Sequence, residues 1–355
     1  MADKKKPRSF DGFGELSRHV HSQEHQRKLD RAVALAQAGQ AIEAARVLDH
    51  HELQSEPQAS RHLYGWCYAE AAKAQVLVGD LTAAQSDLRK ATGLSYRPWH
   101  VEKRLSLVSH ARSTGWTREP EPDWIERLSL SCDSCHQNAP TPLTCAKCNG
   151  TLQPTRRPVY QANLVDLYSL GAYRWQGDPN AANALSRMIR WMKKNQGKEL
   201  CKYLAFLLVM GLHENSDRGL CVDVIVPVPC DPERNRERGF DNVAELVCVM
   251  EHIALIPLAA GVLIKTKATA DLRQLPWRQR PAALAGSIEA DVHKKHQIQD
   301  SSILLVDDVV TSGSTLDLCA GILKAAGARQ VFGATLARSE STQESQRWEA
   351  VDADE

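Results

Sequence analysis

The chain lacks a hydrophobic run long enough to cross a bilayer. Its longest apolar stretch, Tyr203 to Leu212, falls well short of the roughly 18–20 residues that a membrane helix needs. It also lacks a dominant charge. Lys and Arg number 44 against 43 Asp and Glu, a formal net charge of +1, so no overall field draws the protein to nucleic acid. The basic start, Lys4 to Lys6 with Arg8, has no apolar segment behind it, so no secretory signal is expected. Those lysines read as a solvated terminus in preference to a nucleic-acid arm. The remaining composition, 43% hydrophobic and 25% charged, is that of an ordinary globular chain. Its 355 residues leave room for two or three domains, at roughly 100–200 residues each.

Cysteine is present, ten in all, but its pattern argues against a disulfide framework. Four fall in two CxxC pairs, Cys132-Cys135 and Cys145-Cys148, with nine residues between the pairs. Four thiolates so spaced suit one tetrahedral Zn²⁺, a closed and therefore structural site in a small ribbon. The spacer is shorter than the commonest ribbon spacing, which leaves a rubredoxin-like iron site as the alternative metal. The other cysteines sit singly in apolar contexts, as in a reducing compartment, and a cytoplasmic location is the expectation.

Taken in order, residues 1–26 read as a polar tail. Residues 27–114 are helical and Ala-rich, with stripes at Leu29, Ala32, Val33 and Ala36, and again at Leu63, Cys67, Ala71 and Ala74. The segment Leu35 to Gly39 is echoed by Gln75 to Gly79, an offset of 40 residues. Each segment is helix, glycine turn, helix. The region resembles a pair of tetratricopeptide-type hairpins offering a groove to a protein partner, and it equally fits a plain helical bundle. Residues 115–128, with Pro120 and Pro122, form a linker. The ribbon occupies 129–152. From 159 to 340, strand and helix patterns alternate, and residues 341–355 form an acidic tail. Alternation of this kind predicts an α/β fold with a doubly wound, mostly parallel sheet.

One stretch concentrates the chemistry. Ile303 to Val306 reads as a buried strand. Asp307 and Asp308 are expected at its end, the small hydroxylated run Thr311, Ser312, Gly313, Ser314 and Thr315 follows, and a helical stripe begins at Leu316. Loop amides and a helix N-terminus can hold a phosphate there. Two carboxylates can take ribose hydroxyls, or Mg²⁺ as hard oxygen ligands. Upstream, Val226 to Pro229 ends another strand and leads to Arg234, Arg236 and Arg238. Alone, these arginines read as a solvated loop. Beside the acidic pair they read as forks for phosphate oxygens.

The stretch from Ile303 to Thr315 resembles the signature of type I phosphoribosyltransferases throughout its length. That resemblance implies that Asp307 and Asp308 hold the ribose hydroxyls of phosphoribosyl pyrophosphate (PRPP), that residues 311–315 wrap its 5-phosphate, and that the loop of Arg236 and Arg238 takes the pyrophosphate. Together with the CxxC pairs, Arg238-Gly239-Phe240 and the run from Leu323 to Ala328, it is similar to the ComF family. Some members of that family are linked to uptake of transforming DNA. Tyr173, Ile189 and Lys193 resemble a tyrosine, isoleucine and lysine segment of the same family.

The implied activity is Mg²⁺-dependent transfer of a phosphoribosyl group to a nitrogen nucleophile of the nucleobase kind, with Asp307, Asp308 and Arg238 at the reacting centre. The family's flexible segment commonly carries two amides where this chain has Leu272 and Ala283. The alternative implied reading follows from that departure. It is a phosphoribosyl- or nucleotide-sensing protein, or a DNA-uptake accessory that uses the fold for docking, with single-stranded DNA as a partner. Lys265, Lys267 and Arg273 are candidates to close over the site.

Overall fold

The structure, a computed structural model, describes residues 26–48, 58–115, 155–156, 163–173, 182–195, 197–215, 222–231, 233, 235–236, 239–267, 279 and 283–339. The tails, the linker, the ribbon cysteines, Arg234, Arg238, Leu272 and Arg273 lie outside the described residues. The chain divides into two compact units, Met1–Ser109 and His110–Glu355.

The first unit is helical: α1 (26–37), α2 (Ala41–Val47), α3 (Gln58–Leu77), α4 (Leu81–Gly93) and the start of α5 (Pro98–Thr114). The internal echo is realised as two turns of the same design. Gly39 and Gly79 take φ of +83° and +82°, left-handed values that glycine adopts without a Cβ penalty. In each turn the amide after glycine reaches back five residues, Gln40 to the Leu35 carbonyl and Asp80 to the Gln75 carbonyl, both at 2.9 Å. Buried polar pairs tie the hairpins inside this unit: Gln75 donates to Asp87 at 2.9 Å and Gln85 to the Ser109 hydroxyl at 2.7 Å. Burial pushes the Cys67 thiol up to about 12, so it packs as a small apolar group.

The second unit is built on a five-stranded sheet. Its strands are β1 (Thr155–Arg156), β2 (Leu167–Tyr173), β3 (Val224–Pro227), β6 (Ser302–Val310) and β7 (Gln330–Ser339), in the order β1-β2-β7-β6-β3. Only β1 runs antiparallel; β2, β7, β6 and β3 are parallel. A separate antiparallel pair, β4 (Leu263–Lys265) with β5 (Ile288–Ala290), stands apart from the main sheet. Flanking helices are α6 (Ala184–Asn195), α7 (Lys198–Asn215), α8 (Asn242–Ala254) and α9 (Ser314–Ala325). The apolar run from Tyr203 to Leu212 lies in α7, where Leu204, Leu208 and Val209 are buried. Between α6 and α7 sits Gly197, covered by the Trp191 ring; any Cβ would collide with that ring.

Parallel strands covered by helices read as continuous apolar runs. Accordingly Val224 to Val226 and Ile303 to Val306 are buried without alternation. The sheet is fastened across β2 and β7 by a buried hydroxyl pair, Ser169 and Thr335, at 2.8 Å. At its opposite end Asp223 accepts from the Ser302 amide at 2.9 Å.

Candidate phosphoribosyl site

The parallel strands all present their carboxyl ends on one side. From β3 the chain passes through α8 to Leu258, which bridges Ile225 on the edge away from β6. From β6 it passes through α9 to β7, on the side away from β3. The two crossovers diverge, so the gap between β3 and β6 is a topological switch point, the place where open α/β sheets bind ligands.

β6 outlasts its neighbour there. Pro227 is level with Val306, and β3 stops. On the other flank β7 keeps pairing β6 past that level: Asp307 with Thr335, Val309 with Ala337 and Val310 with Arg338. Asp307 and Asp308 therefore lie inside the strand, three and two residues short of its end. This corrects the expectation of a strand closing at Val306. The run of apolar residues stops at Val306, but the β7 ladder does not.

Asp307 is squeezed. Burial is the first cause that raises its pKa, from 3.8 to about 7, and the Asp308 carboxylate is the second. The Asp308 amide, donating to Asp307 Oδ1 at 2.8 Å, and the charge of Lys193 pull the other way. The Asp241 carboxylate, cap of α8, adds a smaller upward push. Asp308 is held differently. Its Oδ2 lies 2.6 Å from Lys193 Nζ. Leu185, Met188, Ile189 and Met192 bury one stripe of α6, and Lys193 leaves the helix on its flank, in the last turn.

After β6 the chain turns through Thr311 and Ser312 to Gly313, whose φ of +74° marks the left-handed region at the start of α9. Gly313 offers no side-chain cap. The first turn of α9 thus leaves its amides without the usual side-chain acceptor, in the arrangement that suits an anion. The Ser312 and Ser314 hydroxyls lie 3.1 Å apart. Asp317 in that turn accepts from the Asn163 amide and side chain at 3.1 and 3.3 Å, which anchors the approach to β2.

The loop after β3 is fixed by Asp231. Its side chain accepts from the Glu233 amide and pairs with Lys265 of β4 at 3.1 Å. Arg236 is exposed between Asp231 and Gly239. Cys319 of α9 is fully buried. Burial raises its pKa, the Asp307 charge adds to that, and the Lys265 charge opposes it.

The structure thus gathers Asp307, Asp308 and residues 311–315 into one strand-loop-helix. Sequence reasoning missed Asp231, which carries no motif signal. It reached Lys193 only through the resemblance, without the ion pair. Ala283, where the resembling family has an amide, is exposed.

Residues 262–355 match the family described as Phosphoribosyl transferase domain. The DNA utilization protein YhgH of Escherichia coli strain K12 is 31% identical over 153 residues, 42% of this chain and 65% of that protein, a match spanning less than two thirds of its length. The protein of the same name from Salmonella typhimurium is 29% identical over 210 residues, 58% of this chain and 82% of that one. The parallel sheet with flanking helices fits the type I phosphoribosyltransferase fold.

Proposed function

We propose that the second unit binds PRPP together with Mg²⁺ and transfers its phosphoribosyl group to a nitrogen nucleophile of the nucleobase class. One observation carries this reading: Asp307 and Asp308 stand at the switch point between β3 and β6, and the same strand continues into a loop and helix start shaped for a phosphate. Asp307 and Asp308 take the ribose hydroxyls. Residues 311–315 take the 5-phosphate through amides and hydroxyls. Arg236 and Arg238 take the pyrophosphate.

In the reaction the ribose C1′–oxygen bond to pyrophosphate breaks, a C1′–nitrogen bond forms, and the nucleophile loses a proton. The protein contributes positioning and stabilisation of the departing charge. Among the described residues no three His, Cys, Asp or Glu side chains converge on a metal position. Two carboxylates fit Mg²⁺ that is shared with substrate oxygens, the usual manner for this ion. When bound, the ion supplies neutralisation of pyrophosphate charge.

The resemblance to the ComF family and the similarity to DNA utilization proteins support a second reading. It is a phosphoribosyl- or nucleotide-binding accessory in DNA uptake, docking partners through residues 27–114 or single-stranded DNA. Ala283 in place of an amide favours it. Calorimetric titration of the full chain with PRPP and Mg²⁺, beside Asp307→Asn/Asp308→Asn, separates these outcomes. The first reading expects binding by wild type, loss in the variant, and pyrophosphate release with at least one base of a panel. Binding with no release across the panel favours the accessory reading, and no binding of PRPP by wild type ends both phosphoribosyl readings.

A further inference from the structure

The Lys193–Asp308 pair is unlike the other ion pairs near the sheet, because one partner belongs to the acidic pair itself. The contact is 2.6 Å, with side-chain exposures of only 27% and 17%. The ammonium also lowers the pKa of Asp307, so its field reaches both carboxylates. It is delivered by a helix whose buried stripe fixes its rotation, and whose loop to α7 is pinned where the Trp191 ring covers Gly197. A cation so placed has two consequences. It neutralises part of the charge that a divalent ion would seek, and it lessens the repulsion that an anionic sugar phosphate would meet there.

We infer that Lys193 is a positioning residue of the phosphoribosyl site: it is the resident counter-cation of Asp307 and Asp308, favouring the sugar-phosphate–divalent-ion complex while disfavouring the divalent ion alone. This rests on the reading of the site as one for PRPP. The site then stays closed to free cations and opens to the anion-bound cation. Lys193 acts through Asp308, holding that carboxylate in one orientation toward the ribose.

The test uses the full chain, Lys193→Gln, Lys193→Arg, and Lys194→Gln as the control that removes the adjacent exposed charge. Two titrations are run: Mn²⁺ alone, followed by electron paramagnetic resonance, and PRPP with Mg²⁺, followed by calorimetry. Circular dichroism melts confirm folding. Lys193→Gln is expected to bind Mn²⁺ alone several-fold more tightly than wild type and PRPP–Mg²⁺ about tenfold more weakly, as loss of a charge-assisted partner implies. Lys193→Arg restores most of both, and Lys194→Gln matches wild type. A merely structural role would weaken both titrations together, and that result, or no change in either, overturns the inference. Failure of wild type to bind PRPP overturns the underlying reading, whereas wild-type binding that Lys193→Gln leaves unchanged overturns the role of Lys193 alone.

Discussion

Lys265 of β4 pairs with Asp231, in the loop after β3, at 3.1 Å, with side-chain exposures of 12% and 6%. This pair ties the two-stranded β4–β5 element to the loop that leads to Arg236. Lys265→Met leaves the Asp231 carboxylate buried without its cation. The expected cost is about 3 kcal/mol, the lower end for breaking a buried pair from one side. Urea unfolding measures it, and hydrogen exchange at 263–265 and 288–290 should rise first. An unchanged midpoint would place the pair on the surface energetically.

Asp307 gives the site a pH dependence with a definite sign. Its folded pKa of about 7 exceeds the unfolded 3.8, so the folded state holds the proton more tightly between those values. Stability from this group is present below the unfolded value and declines as pH rises through about 7. Without ligand, Asp307→Asn should therefore be more stable than wild type at pH 8, on the order of a few kcal/mol, and similar near pH 4. Thermal melts across that range check it. Binding of PRPP with Mg²⁺ should show the opposite slope, weakening as pH falls below about 7, because a hydroxyl- and cation-binding carboxylate must be ionised.

Gly313 occupies a left-handed position, φ +74°, at the start of α9. Gly313→Ala forces a Cβ into that conformation, at about 1–2 kcal/mol. The strain falls where the 5-phosphate is proposed to sit. The variant is expected to lose PRPP affinity beyond its loss of stability, measured by calorimetry and denaturant titration in parallel. Equal affinity in a folded variant would move the phosphate elsewhere.

The buried hydroxyl pair of Ser169 and Thr335 lies one level with Asp307, which faces Thr335 across the ladder. Thr335→Val keeps the shape and removes one partner, leaving the Ser169 hydroxyl buried without it. The expected loss is about 1–3 kcal/mol. Ser169→Ala/Thr335→Val should recover much of it, which a double-mutant cycle reads directly.

The zinc proposal is checked by elemental analysis of the purified chain. One Zn per chain is expected, and Cys132→Ser or Cys145→Ser should lower it. Iron in its place would favour the rubredoxin-like alternative.

The fold class was legible because its signals are local. Unbroken apolar runs at Val224 to Val226 and Ile303 to Val306 announce strands buried on both faces. The glycines at 39 and 79 announce helix ends, and the run from 311 announces a loop that ends sooner than expected, at Gly313, because Ser314 and Thr315 already belong to α9. The end of β6 was not legible, since pairing with β7 across a long separation carries it past Val306. The partner of Lys265 was equally hidden: nothing in the vicinity of Asp231 in sequence points to residue 265.

By itself the sequence determined the helical character of the first unit, the strands at Val224 and Ile303, and which side chains are proposed for phosphate and ribose chemistry, because periodicity, turn preference and functional-group type are properties of short segments. Tertiary structure alone decided that Asp307 lies within the strand and carries a raised pKa, and that Asp308 is held by Lys193. It also decided that β3 stops where the carboxylates begin. These are consequences of which distant segments share a low-dielectric space, and charge and desolvation act through space and not along the chain.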